Sequence, residues 1–300
     1  MTVSPSRGGA VLSLGRIYCD MVFRGLDGMP QLGREVFANE FDLTPGGGAL
    51  ITAAHLAALG RPAALLARFG TDGLSRTLGN SIEALGLDLR YLDRNDSAGP
   101  QLTVVMVQSA DRAFLSRRAG HARPSTFEHA LASGDAAHLH IAEYATLHEM
   151  DDAITSAKRH GLTVSLDPSW DDDLIRDPAF FDRAAGAEIF LPNMEEAEAL
   201  TGLSEPRAAL AQLATHFPIV ALKLGGEGAM LAAKGKVVHL PSQRVEVIDT
   251  TGAGDAFNAG FLHAWLDGSP AEVCLAAAID AGARSVQASG GTGSLRASAK

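Results

Sequence analysis

From residue 136 onward, short apolar runs alternate with helical patterns. Ala136 to Ala142 reads as a strand, about Leu147 to His160 as a helix, and Leu162 to Leu166 and Glu188 to Leu191 as further strands. Such alternation predicts an α/β fold with a central, mostly parallel sheet, flanked by helices on both faces, that binds ligands at the carboxyl ends of its strands. Glu143 falls at one of those ends. Asp167-Pro168-Ser169 follows another and reads as structural.

The densest local signal is Asp249-Thr250-Thr251-Gly252-Ala253-Gly254-Asp255-Ala256-Phe257-Asn258-Ala259-Gly260-Phe261. Val245, Val247 and Ile248 before it are strand-like, and Ala256 to Leu266 after it carries apolar residues at helical spacing. A glycine turn opening a helix aims free backbone N–H groups and the positive end of the helix dipole at one point, which suits a phosphate. Small residues at 252 to 254 let a ligand approach the backbone, and a carboxylate there can take a proton from an attacking hydroxyl. Asp255 is that carboxylate, although an acid at a helix start also serves as a cap.

Earlier in the chain, Val11-Leu12-Ser13-Leu14-Gly15 reads as a buried first strand, and Asp20 follows five residues after Gly15, where a lone Asp is ordinarily a solvated turn residue. Glu35 to Leu43 puts Phe37, Phe41 and Leu43 on one face of a half-buried strand. Leu102 to Ser116 reads as a hairpin turning at Ser109-Ala110-Asp111-Arg112. These two regions predict a small sheet apart from the main domain, built from about residues 20–44 and 100–118.

Between them, Gly46-Gly47-Gly48 opens a small-residue helix that runs to Gly60, in which His55 reads as a packing or surface residue. Ala63 to Phe69 is apolar enough for a strand, and Asp72 caps a helix that runs through Leu85. In Leu191-Pro192-Asn193-Met194-Glu195-Glu196, the acidic first turn of a helix is sound design through the dipole. Val220 to Met230 reads as strand, glycine turn and strand around Lys223, Gly225 and Gly228.

The 249–261 stretch resembles the second signature of the ribokinase-like (PfkB) carbohydrate kinases, D-T-x-G-A-G-D-x-F. Gly46 to Gly60 resembles their first signature, with Ile51 where the family usually has Asn. The resemblance spans roughly residues 10 to 293 and implies one ribokinase-like domain over 1–300 whose small sheet is a lid over the sugar site. It implies that Asp255 is the catalytic base and that the amides of Gly252, Ala253 and Gly254 form the anion hole. Asp20, Gly46, Gly47, Ile51 and Glu143 would face the acceptor. Asn193, Lys223, Gly225 and Gly228 would serve the nucleotide, with Asp280 on the last helix, Ala271 to Gln287, and Gly290 in the loop after it at the adenine pocket. Asn193 and Glu196 reproduce the family's N-x-x-E, so Glu196 would support a hydrated Mg2+, an ion that favours oxygen ligands and keeps its waters. Asp249 and Thr251 would lie near a monovalent cation such as K+. ATP and Mg2+ are thus the implied cofactors, and the lid doubles as a dimer clasp in several relatives.

The 300 residues, 46% hydrophobic and 20% charged, suit a globular protein. A net charge of −10 argues against a nucleic-acid or anionic-membrane partner. Cys19 and Cys274, each in an apolar setting, indicate buried thiols. The run Ala10 to Leu14 is too short for a membrane span or signal core, so a cytoplasmic protein is expected. The expected activity is ATP-dependent phosphorylation of a hydroxyl on a sugar-like molecule. A nucleoside kinase of the same fold and a non-catalytic sugar-binding protein are the alternatives. A dinucleotide oxidoreductase is disfavoured because no G-x-G-x-x-G follows the first strand. With Ile51 unable to pair a buried hydroxyl, ribose is expected to be a poor acceptor, and a compound with fewer hydroxyls or an apolar group a better one.

Overall fold

The computed structural model describes residues 9–108 and 111–297. Strand β1 (Ala10–Leu14) lies inside the main sheet, after which the chain leaves for a second sheet through β2 (Tyr18–Arg24) and β3 (Glu40–Gly46). Helix α1 (Gly48–Ala58) returns to the main sheet, and β4 (Ala63–Leu66) pairs parallel with β1. The short β5 (Arg68–Phe69) then pairs with β6 (Asp93–Arg94), with α2 (Gly73–Glu83) between them in sequence. Strands β7 (Leu102–Gln108) and β8 (Asp111–Arg117) complete the second sheet.

Alternation follows: α3 (Phe127–Ala132), β9 (Ala136–Ile141), α4 (Tyr144–Glu149), α5 (Ala153–Arg159), β10 (Thr163–Leu166), α6 (Phe180–Arg183), β11 (Ile189–Phe190), α7 (Met194–Thr201), α8 (Pro206–Leu213) and β12 (Ile219–Lys223). An antiparallel edge of β13 (Ala229–Ala233) and β14 (Lys236–Leu240) precedes α9 (Ala253–Leu266), α10 (Ala271–Ser285) and α11 (Gly293–Ala297).

The main sheet has eight strands in the order β14-β13-β12-β11-β10-β9-β1-β4. Alternate side chains of its buried strands feed two cores. Leu12, Leu14, Leu139, Ile141 and Val164 face one layer, joined by Phe127, Leu147 and Phe180 from α3, α4 and α6. Val11 and Ala221 face the other, joined by Leu56 of α1, Phe261 of α9 and Leu275 of α10. The expected fold class is therefore present, parallel through β4-β1-β9-β10-β11-β12, with helices on both faces.

The small second sheet, expected as a lid, is present with four strands in the order β3-β2-β7-β8. Its register differs from expectation. Asp20 lies inside β2 and not in a turn, and the predicted strand over 35–43 is displaced to Glu40–Gly46, where it pairs antiparallel with β2. Phe37 and Phe41 are 73% and 54% exposed, because no layer covers the outer face of a sheet that stands off the main domain. The hairpin of β7 and β8 is present, while Ser109 and Ala110 of its expected turn lie outside the described residues.

Other boundaries move for local reasons. The strand expected over 63–69 breaks after Leu66, as Arg68 and Phe69 turn away to pair with β6. The helix expected over 147–160 starts earlier, at Tyr144, and is interrupted at Met150 to Asp152, where two Asp residues favour a turn over continued helix. The 245–248 segment is not a strand: the sheet edge ends at Leu240, and Val247 and Ile248 are exposed. Helix α10 ends at Ser285, two residues short of Gln287. Asp72 caps α2 as expected, accepting from the amides of Leu74 and Ser75. Cys19 and Cys274 are buried and free.

Candidate active site

Two helix N-termini meet at Asp255. Helix α9 begins from Gly252, whose left-handed φ of 75° lets the chain turn sharply into the helix. Gly252 is thus the N-cap, and Asp255 lies in the first turn beyond it, so its carboxylate is not needed as a cap. The carboxylate faces the first residue of α1: a Cβ placed on Gly48 would lie 2.9 Å from Asp255 Oδ1. Gly47, with φ 102°, brings the start of α1 so close to β1 that a Cβ there would stand 2.2 Å from the Arg16 carbonyl. Both helices direct their positive ends toward this carboxylate.

A cavity of about 600 Å³ opens beside it. Of the expected site residues, Asp20, Gly47, Ile51, Glu143, Thr251, Gly252 and Asp255 line it together. Gly46 supports it from behind, since a Cβ there would meet Asp20 Oδ2 at 1.8 Å. Ile51 is only 3% exposed, and its side chain packs on the glycines of two loops: a Cβ on Gly291 would lie 2.4 Å from its Cδ1, and one on Gly252 3.1 Å from its Cγ2. Most of Ile51 therefore wedges the 252 turn against the 291 loop. His55 belongs to the same packing, buried with Nε2 2.9 Å from the Gly291 carbonyl.

Sequence reasoning placed the lid over the site but missed most of the residues that it lends to the cavity. Thr103, Val105, Phe114 and Ser116 face the cavity from β7 and β8, and Tyr18 joins them from β2. Arg118, just past β8, forms a 2.7 Å ion pair with Asp171 and donates through Nε to the Tyr18 hydroxyl at 3.4 Å. Period-two alternation in 102–116 was the available signal for the strand residues, and nothing local marks Arg118 or Asp171.

Burial without full compensation raises the carboxyl groups. Asp255 is pushed up to about 7 by burial first, then by Asp167, Glu143 and Asp20, with Lys223 pulling the other way. Asp20 is raised to about 7 by burial and by Asp249. Burial likewise raises Glu143, against hydrogen bonding from Thr146 and the charges of Arg118 and Arg16.

Beneath the turn lies a buried ionic cluster. Lys223 Nζ donates to Asp167 Oδ2 at 2.7 Å and to Asn258 Oδ1 at 3.3 Å, while Asn258 Nδ2 donates to the same Asp167 oxygen at 2.6 Å. A Cβ on Gly254 would stand 3.4 Å from Lys223 Nζ, an ordinary contact distance that places the ammonium directly under the turn. Lys223, expected near phosphate, is thus held in an internal ion pair, and Asp167 is its electrostatic partner. Asn258 was quoted in the signature without a role.

The remaining positions spread around this centre. Asn193 and Glu196 form a capping box: Asn193 Oδ1 accepts from the Glu196 amide, and Glu196 Oε2 from the Asn193 amide, both at 2.8 Å. Glu196 is raised to about 7 by burial, then by Asp167. Gly225 and Gly228 flank a short 3-10 turn, and a Cβ on Gly228 would strike the Leu240 carbonyl at 2.0 Å. Asp280 is half-exposed and paired with Arg284 on the same helix. Asp249 accepts from the amides of Thr251 and Gly290, each at 2.9 Å, and Arg24 Nη2 of the lid lies 3.9 Å from its Oδ2. Among the described residues no cluster of three or more His, Cys, Asp or Glu side chains could hold a metal directly, and no helix is long and apolar enough to cross a membrane.

Known proteins resemble this chain in sequence and in fold. A deoxyribokinase of Salmonella typhi is 26% identical over 276 residues, covering 87% of this chain and 88% of that protein. A fructokinase of Klebsiella pneumoniae is 31% identical over 237 residues, covering 73% and 76%. The fold matches an E. coli protein solved in complex with ATP and Mg2+, with a TM-score of 0.79 at 23% identity over 94% of each chain. The model of the pfkB family carbohydrate kinases matches residues 21–298, and with that coverage the chain belongs to the pfkB family of carbohydrate kinases.

Proposed function

We propose that this kinase transfers the γ-phosphoryl group of ATP to a hydroxyl of a small sugar-like acceptor bound in the lid-covered cavity, with Asp255 as general base. The supporting observation is the Asp255 carboxylate, buried where the starts of α1 and α9 converge and facing a cavity that Asp20 and Glu143 also line. In this reading Asp20 and Glu143 hold acceptor hydroxyls and aim one at Asp255. The amides of Gly252, Ala253 and Gly254 stabilise charge on the moving phosphoryl group, and Lys223 adds positive charge below them. Lid strands β7 and β8 exclude water from the cavity.

The donor set fits a hydrated Mg2+ better than a directly bound one: Glu196 feels the charges of Asp167 and Lys223, and one of its oxygens is taken by the cap. When bound with nucleotide, Mg2+ neutralises phosphate charge. Glu196→Gln is therefore expected to raise the Mg2+ requirement more than the acceptor KM; a normal Mg2+ titration with a changed acceptor KM would remove Glu196 from this role. The Asp249 carboxylate already faces two amides and a guanidinium, which fits a monovalent cation poorly, and no step is drawn through one.

The deoxyribokinase relative suits an acceptor that lacks a hydroxyl near Ile51. Asp280, Gly225, Gly228 and Gly290 remain the candidates for the nucleotide side. The lid's outer face carries Met21, Phe23, Phe41, Val104, Met106 and Leu115 in one register, which suits contact with a second copy in the cytoplasm. A coupled ADP-release assay over pentoses, deoxypentoses, hexoses, keto-sugar acids and nucleosides tests the reading. Acceptor-dependent release is expected, with ribose inferior to a deoxy or keto compound. Release with none of them, or ribose matching every other compound in kcat/KM, would refute the corresponding part.

The pH dependence follows from Asp255. Its carboxyl, faced by Asp20, Glu143, Asp167 and Lys223, is raised to about 7. Below that pH it is protonated and cannot accept a proton, so kcat/KM is expected to climb through about pH 7 and level off above it. An acid limb centred near the ordinary carboxylate value of about 4 would contradict this assignment.

A further inference from the structure

The buried face of the sheet under α9 carries a row of polar side chains that the proposed reaction has not used. Residues two apart on a strand share a face, and β9 and β10 pair with His138 opposite Thr163 and His140 opposite Ser165. All four side chains are buried, His138, His140 and Ser165 completely. The same face of the β10 strand leads on to Asp167, the partner of Lys223.

Hydrogen bonds order this row. Thr163 Oγ1 donates to the Ala137 carbonyl at 3.2 Å, so it accepts from His138 Nδ1 at 2.8 Å. His138 Nε2 is then a bare acceptor and takes the Ser165 hydroxyl proton at 2.8 Å, which leaves Ser165 Oγ to accept from His140 Nδ1, again at 2.8 Å. Reversing the row would give up the Thr163 bond to the Ala137 carbonyl, leaving one hydrogen bond fewer. Both imidazoles are neutral: burial holds His138 well below its ordinary range, and His140 is lowered to about 4 by burial, with Asp167 and Lys223 as opposing charges.

The consequence falls on His140 Nε2. It is left with a lone pair, fully buried, and among the described residues it has no hydrogen-bond partner. Such an atom in a core is destabilising, and apolar side chains would pack the same face without that cost. The charges that bear on the ring are Asp167 and Lys223, and Lys223 has only two of its three N–H bonds placed.

We infer that His140 is a positioning residue of this kinase: its Nε2 lone pair, through one bridging water, holds the third N–H of Lys223 and keeps the ammonium under Gly254 during phosphoryl transfer. The water donates to Nε2 and accepts from Lys223, which gives it the two or more polar partners a buried water needs. The row of Ser165, His138 and Thr163 fixes the tautomer that makes this possible. The inference rests on the 252–255 turn being the reaction centre.

Two measurements test it. NMR of 15N-histidine-labelled protein should find His140 neutral with its proton on Nδ1; a proton on Nε2 would overturn the inference. Turnover is then read on whichever panel compound gives the fastest ADP release. His140→Gln places an amide oxygen where Nε2 was, whereas His140→Asn reproduces only the Nδ1 side. The Asn variant should lose roughly tenfold in kcat with both KM values within about twofold, and the Gln variant should recover most of it. Equal turnover of the two variants, or failure of both to fold, would make the row mere scaffold. Asp255→Asn measured beside them separates the cases: if it keeps turnover the reaction centre is wrong, and if it loses turnover while the His140 variants match, only His140 is.

Discussion

Asp255→Asn is expected to fold and to bind ATP while kcat falls by about 10²- to 10⁴-fold, the range that general-base catalysis contributes. The amide is nearly isosteric, so the contact with Gly48 and the start of α9 should survive. What disappears is the carboxylate proposed to accept the hydroxyl proton. Loss should appear equally in kcat and kcat/KM, because the interaction develops in the transition state. Near wild-type turnover of the purified variant would exclude Asp255 as the base.

The second large effect concerns stability. Lys223→Met should destabilise the protein by about 3–5 kcal/mol, because it leaves the Asp167 carboxylate buried with its cation removed. The pair is well enclosed, with side-chain exposures of 12% for Lys223 and 8% for Asp167. Asn258 and the Ser169 amide still donate to Asp167, which limits the loss without replacing the charge. Urea unfolding measures it directly, and Lys223→Met with Asp167→Leu should recover part of the stability, since the double variant buries no orphaned charge. A cost below about 1 kcal/mol for the single variant would show that the pair contributes little.

Much of this was legible along the chain. Short apolar runs separated by helical patterns specify parallel strands with helical crossovers, and β9 to β12 form accordingly. Asp72 capping α2 is a local hydrogen-bonding rule, complete within four residues, so sequence alone suffices for it; the Asn193 and Glu196 box at α7 is equally local, yet the sequence reading of that turn rested on the helix dipole and did not include the box. The glycines at 47 and 252 announce turns that only residues without a Cβ can make, and both lie at the cavity.

Other features depended on partners distant in sequence. The 245–248 segment has strand-forming residues but no neighbouring strand, and backbone pairing decides the matter. Asp20 reads as a turn residue until β7 and β3 come alongside β2 and draw it into the lid sheet. Arg118 acquires its place from Asp171, 53 positions away in numbering, and Ile51 from Gly252 and Gly291, contacts that no spacing rule encodes.

The sequence by itself determined the layer order, the turn chemistry and the identity of the acid at the start of α9, because each follows from interactions within one element or between adjacent ones. Tertiary structure alone decided which charges meet. The Lys223, Asp167 and Asn258 cluster draws on three elements. The raised Asp255 carboxyl is the outcome of burial and of the charges of Asp167, Lys223, Glu143 and Asp20, since electrostatic energy depends on distance and on exclusion of water rather than on position along the chain.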